Sequence, residues 1–191
     1  MSKKVLYCVA NGSEEMEFSA PVDILRRSQC EVLIAKVPDK NDKPDDLICK
    51  LANGVKVIAD IEIEKALSME FDMIVCPGGM PGSQTLGEYK PLIEKLKKQK
   101  VAKKWYCAIC AAPYLVFGAN HLIDDEFATS YPSYQEKLPK KDKIKEKVVI
   151  SNNCITSQGP GTAMEFGYTL AEALVGKNQV DNLRKGMVYL L

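Results

Sequence analysis

The chain has 191 residues, of which 46% are hydrophobic, and its 26 basic and 25 acidic residues leave a net charge of +1. This length suits one domain with a sizeable core, and we assign residues 1–191 to a single domain. The balanced charge gives no reason to expect a nucleic-acid or membrane partner, and no apolar run approaches the ~20 residues of a membrane helix. The basic run at residues 95–104 is interpreted as the solvated end of a helix, because no aromatic residue lies between its lysines for bases to stack on.

The beginning of the chain and its seven cysteines both indicate a reducing, cytoplasmic location. Residues 1–15 enter a short apolar run at once and lack the apolar segment and cleavage site of a secretory signal. The cysteines are odd in number and mostly lie within apolar segments, which is typical of buried free thiols and not of a disulfide scaffold.

Short β-rich runs alternate with helical patterns along the chain. A helix is predicted to begin at Ser13, as its N-cap, and another to run from residue 161 to about residue 175. A hairpin is predicted at residues 47–51 and 55–58, with Asn53-Gly54 as its turn, after a polar loop at residues 38–46. The remaining predicted strands are residues 4–10, 31–37, 71–76, 104–109, 147–151 and 154–157.

Apolar strands that alternate with helices predict an α/β fold, with a mainly parallel sheet covered by helices on both faces. Ligands bind such sheets at the carboxyl ends of the strands, where the strand order reverses. Three loops lie at predicted strand ends: residues 11–17, residues 77–82, and the segment from Cys110 onward. We expect a functional site among these loops.

Two cysteines, Cys107 and Cys110, lie where a predicted strand runs into a helix. Alanines lie two positions before and two positions after Cys110, as in a nucleophile elbow, where small neighbours allow the strained turn that exposes the nucleophile. Pro113 falls in the first helical turn, where its missing N–H costs nothing. A helix N-terminus beside Cys110 would favour its thiolate, so we predict a single nucleophile there and a bystander at Cys107.

Three other interpretations of these cysteines are open at this point. A redox pair normally has both thiols at the start of the helix, whereas Cys107 falls within the predicted strand. A structural zinc site needs four ligands, and the chain has one histidine and no second Cys-x-x-Cys motif. In the third interpretation, both cysteines are buried apolar residues without chemistry.

Four segments in the same order resemble the ThiJ/PfpI superfamily, above all its parkinsonism-associated protein deglycase branch. They are NGSEEMEFSAPVDILRR, DMIVCPGGMPGSQTL, YCAICAAPYLVF and ITSQGPGTAMEFGYTLAEALVGK. The resemblance runs from about Lys4 to the C-terminus. It implies a flavodoxin-like three-layer sandwich of the class I glutamine amidotransferase type, a homodimer, and neither a metal nor another cofactor.

The resemblance also implies roles for individual residues. Cys110 would be the reactive thiol, and Glu17 would donate a hydrogen bond to its thiolate and move protons. Backbone N–H groups of Gly79 and Ala111 would form an oxyanion pocket, with Gly78 shaping the turn.

Further positions follow from the same resemblance. Pro160 would line the pocket, and Arg27 matches an arginine that relatives bring to the partner's site, unless it only forms an interface salt bridge. Tyr131 stands where relatives often have a histidine, and a phenol is a poor proton shuttle near neutral pH. Asn53 and Gln158 replace two pocket arginines of some relatives.

Two other branches of the superfamily are disfavoured. The peptidase-like branch has a histidine directly after the nucleophile, where this chain has Ala111. Glutamine amidotransferase domains need a late histidine, and no histidine follows His121. His121 does not match the histidine position of the relatives and is interpreted as a loop residue.

The predicted function is a glyoxalase or protein deglycase that acts on methylglyoxal, glyoxal or glycated protein without metal or glutathione. The alternative is a redox-sensing stress chaperone, in which Cys110 oxidises to a sulfinate stabilised by protonated Glu17. The same thiol and carboxyl serve both functions, so the sequence does not separate them. A role in thiamine-precursor metabolism has no support from any residue.

Overall fold

The computed structural model describes residues 2–40, 42–43 and 46–189, so part of the predicted polar loop at residues 38–46 lies outside the described residues. The strands are β1 (Lys4–Val9), β2 (Glu31–Lys36), β3 (Ile48–Lys50), β4 (Lys56–Ile58), β5 (Ile61–Glu62), β6 (Met73–Cys76), β7 (Trp105–Ile109), β8 (Val148–Ser151) and β9 (Cys154–Ser157). The α-helices are α1 (Glu15–Arg27), α2 (Ile63–Ala66), α3 (Gly82–Glu88), α4 (Lys90–Val101), α5 (Pro132–Gln135), α6 (Ala163–Val175) and α7 (Lys177–Gly186).

Seven strands of the described chain form one sheet, in the order β5-β2-β1-β6-β7-β9-β8. Neighbouring strands pair parallel except β8 and β9, which pair antiparallel. The chain places β2 on one side of β1 and later places β6 on the other side, so the strand order reverses at β1. The loops after β1, β6 and β7 therefore open side by side at the carboxyl edge, where ligands bind in sheets of this kind.

Both faces of the sheet are buried, because successive side chains of each strand point to opposite faces. In β1, Val5, Tyr7 and Val9 belong to one core, which also contains apolar residues of α1 and α6. Leu6 and Cys8 belong to the other core, together with apolar residues of α2, α3 and α4. This three-layer arrangement confirms the predicted flavodoxin-like α/β sandwich.

The predicted strands agree with the structure to within about two residues at each end, the usual uncertainty of element boundaries. The hairpin is confirmed as β3 and β4, with Gly54 at a φ of +96° in the connecting turn. The last predicted helix begins later than expected, because a 3₁₀ turn at Pro160–Thr162 precedes α6. No helix among the residues that the structure describes is long and apolar enough to span a membrane.

The prediction of Ser13 as the N-cap of α1 is wrong. The N-cap is Glu14, whose side-chain oxygen accepts a hydrogen bond from the Glu17 N–H at 2.9 Å. The Ser13 hydroxyl instead accepts a hydrogen bond from the Ala10 N–H at 3.1 Å. Ser13 therefore closes the turn after β1, and the helix begins one residue later.

Candidate active site

The predicted elbow is present at the carboxyl end of β7. Cys110 has a φ of +67°, a left-handed conformation that costs energy for a residue other than glycine. Its N–H donates to the Ser157 carbonyl at 2.9 Å. Its carbonyl accepts from the Tyr131 N–H and the Ser130 hydroxyl, each at 2.6 Å. These three hydrogen bonds hold the strained residue in place.

The segment after the elbow differs from the helix that the sequence predicts. Pro113–Phe117 form one π-helical turn, which continues as a 3₁₀ turn at Gly118–Asn120.

Burial and the nearby carboxylate of Glu17 raise the pKa of the Cys110 thiol well above its usual range. The Ala111 N–H at the start of the helical turn favours the thiolate, as predicted, but burial and Glu17 act more strongly in the opposite direction. A short turn has a weak dipole, and the cost of burying a charge is larger.

Two backbone groups nevertheless favour a charge on the Cys110 sulfur. The N–H groups of Gly79 and Ala111 face the thiol and act to lower its pKa. They are the two donors that the sequence analysis assigned to an oxyanion pocket. The structure thus places both predicted donors at the predicted nucleophile.

Glu17 faces the elbow from the first turn of α1, and its side chain is fully buried. It shares the buried side of the helix with Pro21 and Ile24, at the spacing of one helical face. Pro21 has no N–H, so the Glu17 carbonyl lacks its usual helical donor. The Tyr7 hydroxyl donates to this carbonyl at 2.5 Å and thereby ties the backbone of Glu17 to β1.

The Glu17 carboxyl is buried without the partners that a buried charge needs. Neither of its oxygens has a hydrogen bond of normal geometry, and in the described part of the chain only Ser83 Oγ shares this property among buried side-chain polar atoms. Burial raises the pKa of Glu17 to about 7, although the Cys110 thiol and the Gly78 N–H face the carboxyl and act to lower it. The charge of Glu14 adds to the rise. A carboxyl with this pKa is suited to general acid and base catalysis at neutral pH.

Gly78 lies where the carboxyl and the thiol approach each other. A Cβ added to Gly78 would lie 2.3 Å from Glu17 Oε2, 2.4 Å from Cys110 Cβ and 3.0 Å from Cys110 Sγ. Gly79 has a φ of +87°, and a Cβ there would lie 2.4 Å from the backbone nitrogen of Glu14. Both glycines of the Pro-Gly-Gly turn are therefore required by the close approach of their neighbours.

Tyr131 and the segment that contains Pro160 border the reactive groups of Cys110 and Glu17. A Cβ added to Gly159 would lie 3.4 Å from the Tyr131 ring and 3.9 Å from Glu17 Oε1. The Tyr131 side chain is exposed, whereas Cys110 is only 8% exposed. The aromatic ring therefore lies at the border between the buried reactive groups and the solvent.

Arg27 lies far from the Cys110–Glu17 site of its own chain. It lies in the last turn of α1, about 15 Å along the helix axis from Glu17 at the usual rise per residue. Its guanidinium pairs with Asp23 at 2.8 Å, and both side chains are exposed. Its assignment to a partner's site stays a prediction.

Two other positions named in the sequence analysis lie outside the reactive group. Asn53 donates to the carboxylate of Glu15 from its backbone N–H at 2.6 Å and from its side chain at 2.9 Å. His121 lies in an exposed turn with Asp124 at 3.1 Å, as expected for a loop residue.

Sequence reasoning missed two residues that support the site. Glu14 is one of them, and the sequence carries no signal for it, because the usual N-cap residues are Ser, Thr, Asp and Asn. Ser130 is the other, and nothing in the sequence indicates it. Its hydroxyl reaches the carbonyl of Cys110 from a loop 20 positions away along the chain.

Within the described residues, neither the other cysteines nor the cavity beside β2 offers a competing site. All seven cysteines are free and buried, and Cys107 lies within β7 as predicted. No group of three or more histidine, cysteine or acidic side chains in the described ranges is arranged to hold a metal ion. A cavity of about 430 Å³ adjoins the end of β2, lined by Lys36, Pro38, Asp42, Lys43, Asp46, Glu62, Glu64 and Lys65. We place the site at Cys110 instead, because the nucleophile, the carboxyl and the backbone donors converge there.

Comparison with known proteins identifies relatives across nearly the whole chain. Residues 3–173 match the DJ-1/PfpI family. Glutathione-independent glyoxalase DJ-1 of Schizosaccharomyces pombe is 31% identical over 193 residues, which cover 96% of this chain and 97% of that protein. Protein DJ-1 homolog B of Arabidopsis thaliana is 38% identical over 179 residues, 93% of this chain, but the chain spans only 40% of that relative's length. The structure of oxidized Toxoplasma gondii DJ-1 matches with a TM-score of 0.93 at 35% identity, covering 100% of both chains.

Proposed function

Because the chain belongs to the DJ-1/PfpI family, we propose that it is a cysteine-dependent glyoxalase that needs neither metal nor glutathione. Its substrates would be methylglyoxal and glyoxal, and its products the corresponding 2-hydroxy acids. One observation carries the proposal: a buried, unpartnered carboxyl with a pKa of about 7 faces the thiol of a strained elbow. The glyoxalase name of the Schizosaccharomyces pombe relative supports it.

The first step would be addition of the thiol to the aldehyde. The Glu17 carboxylate takes the proton of Cys110, and the sulfur forms a bond to the aldehyde carbon as the C=O π bond breaks. The N–H groups of Gly79 and Ala111 stabilise the resulting oxyanion. Glu17 then returns the proton to this oxygen, which completes a hemithioacetal.

The second step would be isomerisation of the adduct by proton transfer. Glu17 removes the proton from the former aldehyde carbon and transfers it to the neighbouring carbonyl oxygen, which gives an enediol. The hydroxyl on the sulfur-bearing carbon then gives up its proton and the neighbouring carbon gains one, which gives a thioester of lactate on Cys110. Water hydrolyses this thioester and restores the thiol. Methylglyoxal and water thus yield lactate, and no external oxidant or reductant is consumed.

Lactate formation from methylglyoxal by chelator-treated protein tests this proposal. We expect turnover by the wild-type protein and a loss of about 100-fold or more in Cys110→Ser and in Glu17→Gln, the range for a lost nucleophile or proton carrier. Cys107→Ala and Glu15→Gln are the matched controls, because these residues lie beside the reactive ones in sequence but outside the site. Full turnover by Cys110→Ser would refute the mechanism.

The proposal extends to glycated proteins. An early adduct of methylglyoxal on an amine or thiol reverts to the aldehyde, whose carbon a nucleophile can then attack. The test uses methylglyoxal-modified albumin from which free methylglyoxal has been removed. Release of lactate faster than the spontaneous loss of the adduct is the expected result. Release at the spontaneous rate would restrict the substrate to free dicarbonyls.

A second candidate function is redox sensing with a stress-chaperone role. A carboxyl that is protonated up to about pH 7 beside a thiol would donate a hydrogen bond to an oxidised sulfur. Two equivalents of peroxide would convert the thiol to a sulfinate, each transferring one oxygen atom and releasing water. Mass spectrometry after peroxide treatment tests this function. A Cys110 that gains no oxygen would count against it.

The proposal also includes a cytoplasmic homodimer in which Arg27 of one protomer adjoins the site of its partner. Sedimentation velocity measures the assembly state directly. If a dimer forms, Arg27→Ala should change the reactivity of Cys110 without changing the fold. A monomer at micromolar concentration would contradict this part of the proposal.

A further inference from the structure

Glu14 connects the loops that form the site. Its backbone N–H donates to the Gly78 carbonyl at 3.1 Å, and its side-chain Oε2 accepts from the Glu17 N–H at 2.9 Å. As the N-cap of α1, it determines where the helix begins and therefore where Glu17 stands relative to the Pro-Gly-Gly turn. Gly79 packs directly against its backbone nitrogen.

We infer that Glu14 is a positioning residue for the Cys110–Glu17 pair: its cap places the Glu17 carboxyl, and its negative charge keeps a proton on the pair. The Glu14 side chain is partly buried and lies within one helical turn of Glu17. Two like charges at this separation repel each other, and a proton on Glu17 removes the repulsion. The inference rests on the reactive pair of the proposed function, but not on the identity of the substrate.

The other groups that face Glu17 do not have this effect. The Cys110 thiol faces the carboxyl from the elbow and the Gly78 N–H faces it from the turn, and both favour the ionised carboxylate. The Tyr7 hydroxyl comes from β1 and is occupied by the backbone carbonyl of Glu17. Burial also opposes ionisation, and Glu14 is the neighbouring charge that acts in the same direction.

The test replaces Glu14 by glutamine, which retains a side-chain oxygen that can accept the capping hydrogen bond but removes the charge. The readout is the rate at which iodoacetamide alkylates Cys110 at a series of pH values, with the modified residue identified by mass spectrometry. We expect the pH of half-maximal reactivity to fall by about 0.5 to 1 unit, because loss of a nearby like charge lets the pair release its first proton more easily. The acidic limb of lactate formation should move by the same amount.

Glu15→Gln is the matched control, because the carboxylate of Glu15 bonds to Asn53 and not to Glu17. Its midpoint should equal that of the wild-type protein. Glu14→Ala removes the cap as well as the charge, so it should shift the midpoint and also reduce the maximal rate of alkylation.

Two results would overturn the inference: an unchanged midpoint in Glu14→Gln, or an equal shift in Glu15→Gln, which would indicate a general charge effect. Alkylation requires no turnover, so the two proposals are tested separately. A shifted midpoint without lactate formation would reject only the proposed function. An unshifted midpoint with normal lactate formation would reject only the role of Glu14.

Discussion

At the scale of single residues, the buried carboxyl of Glu17 sets both the chemistry of the site and a cost in stability. Its pKa in the folded protein is about 7, above the ~4.3 of an unfolded glutamate, so the folded state holds an extra proton between these values. The stability that this proton contributes is fully present below about pH 4 and is lost as the pH rises through about 7. The full effect is of the order of 4 kcal/mol, at 1.36 kcal/mol per pKa unit.

Glu17→Gln should therefore stabilise the protein at alkaline pH while abolishing its activity. The neutral amide occupies a similar volume and cannot ionise in the buried site. We expect the free energy of unfolding in urea to rise by about 1–3 kcal/mol at about pH 8 and to change little at about pH 4. An equal change at both pH values would contradict the assignment of the raised pKa.

Glu15→Gln is a control for which we expect a change of the opposite sign in the free energy of unfolding at alkaline pH. Desolvation is the largest single influence on the pKa of Glu15 and raises it, but hydrogen bonds from Asn53 and neighbouring backbone N–H groups together lower the pKa overall. Its carboxylate therefore stabilises the folded state above its ordinary titration range and loses this effect as the pH falls. Replacing it should weaken the protein at about pH 8.

At the scale of elements, the site is a junction of three short segments with little room between them. The first turn of α1, the Pro-Gly-Gly turn after β6 and the elbow after β7 all meet at Gly78. A side chain at this position would collide with Glu17 Oε2 at 2.3 Å and with Cys110 Cβ at 2.4 Å. The elbow cannot retreat freely, because Ser130 and Tyr131 hold the Cys110 carbonyl.

Gly78→Ala should separate the carboxyl from the thiol. We expect both Cys110 alkylation and lactate formation to fall by about 100-fold, the effect of roughly 1 Å of misplacement at a reactive centre. Gly186→Ala is the control, because nothing lies within 4 Å of the added Cβ at the end of α7. Circular dichroism should show folded protein for both variants. Normal reactivity in Gly78→Ala would show that the pair does not depend on this spacing.

At the scale of the whole molecule, the strand order brings distant parts of the chain together. β1, β6 and β7 are neighbours at the centre of the sheet, although other elements separate them in sequence. The same carboxyl edge carries Lys36 at the end of β2. Its side chain is only 2% exposed, and its ammonium group contacts Asp42 Oδ1 and the carbonyl of Ile48, each at 2.9 Å. This buried contact joins the sheet to the loop and hairpin beside it.

Lys36→Met should destabilise the whole protein. The substitution leaves the Asp42 carboxylate buried without its cation, which costs about 3 kcal/mol or more. Urea unfolding of the variant should show this loss, whereas Lys43→Met, at an exposed position of the same loop, should show almost none. Similar unfolding midpoints for both variants would mean that the buried ion pair contributes little.

The sequence by itself determined the features that depend on local chemistry. Apolar strands alternating with helices predicted the α/β sandwich, because side-chain periodicity reports which faces of an element are buried. Small residues around Cys110 predicted the elbow, because a tight turn depends on its immediate neighbours. The segments that resemble the family indicated Glu17, Gly78, Gly79 and Ala111.

Only the tertiary structure decided how these groups behave together. Glu14, Glu15 and Glu17 look alike in sequence, but the folded chain makes the first a helix cap, bonds the second to Asn53 and buries the third. The pKa of Cys110 rises because burial and a facing carboxylate outweigh a short helical turn. The Ser130 contact arises from a distant loop. Burial, charge separation and long-range hydrogen bonds depend on the distances between elements, and the topology of the sheet sets those distances.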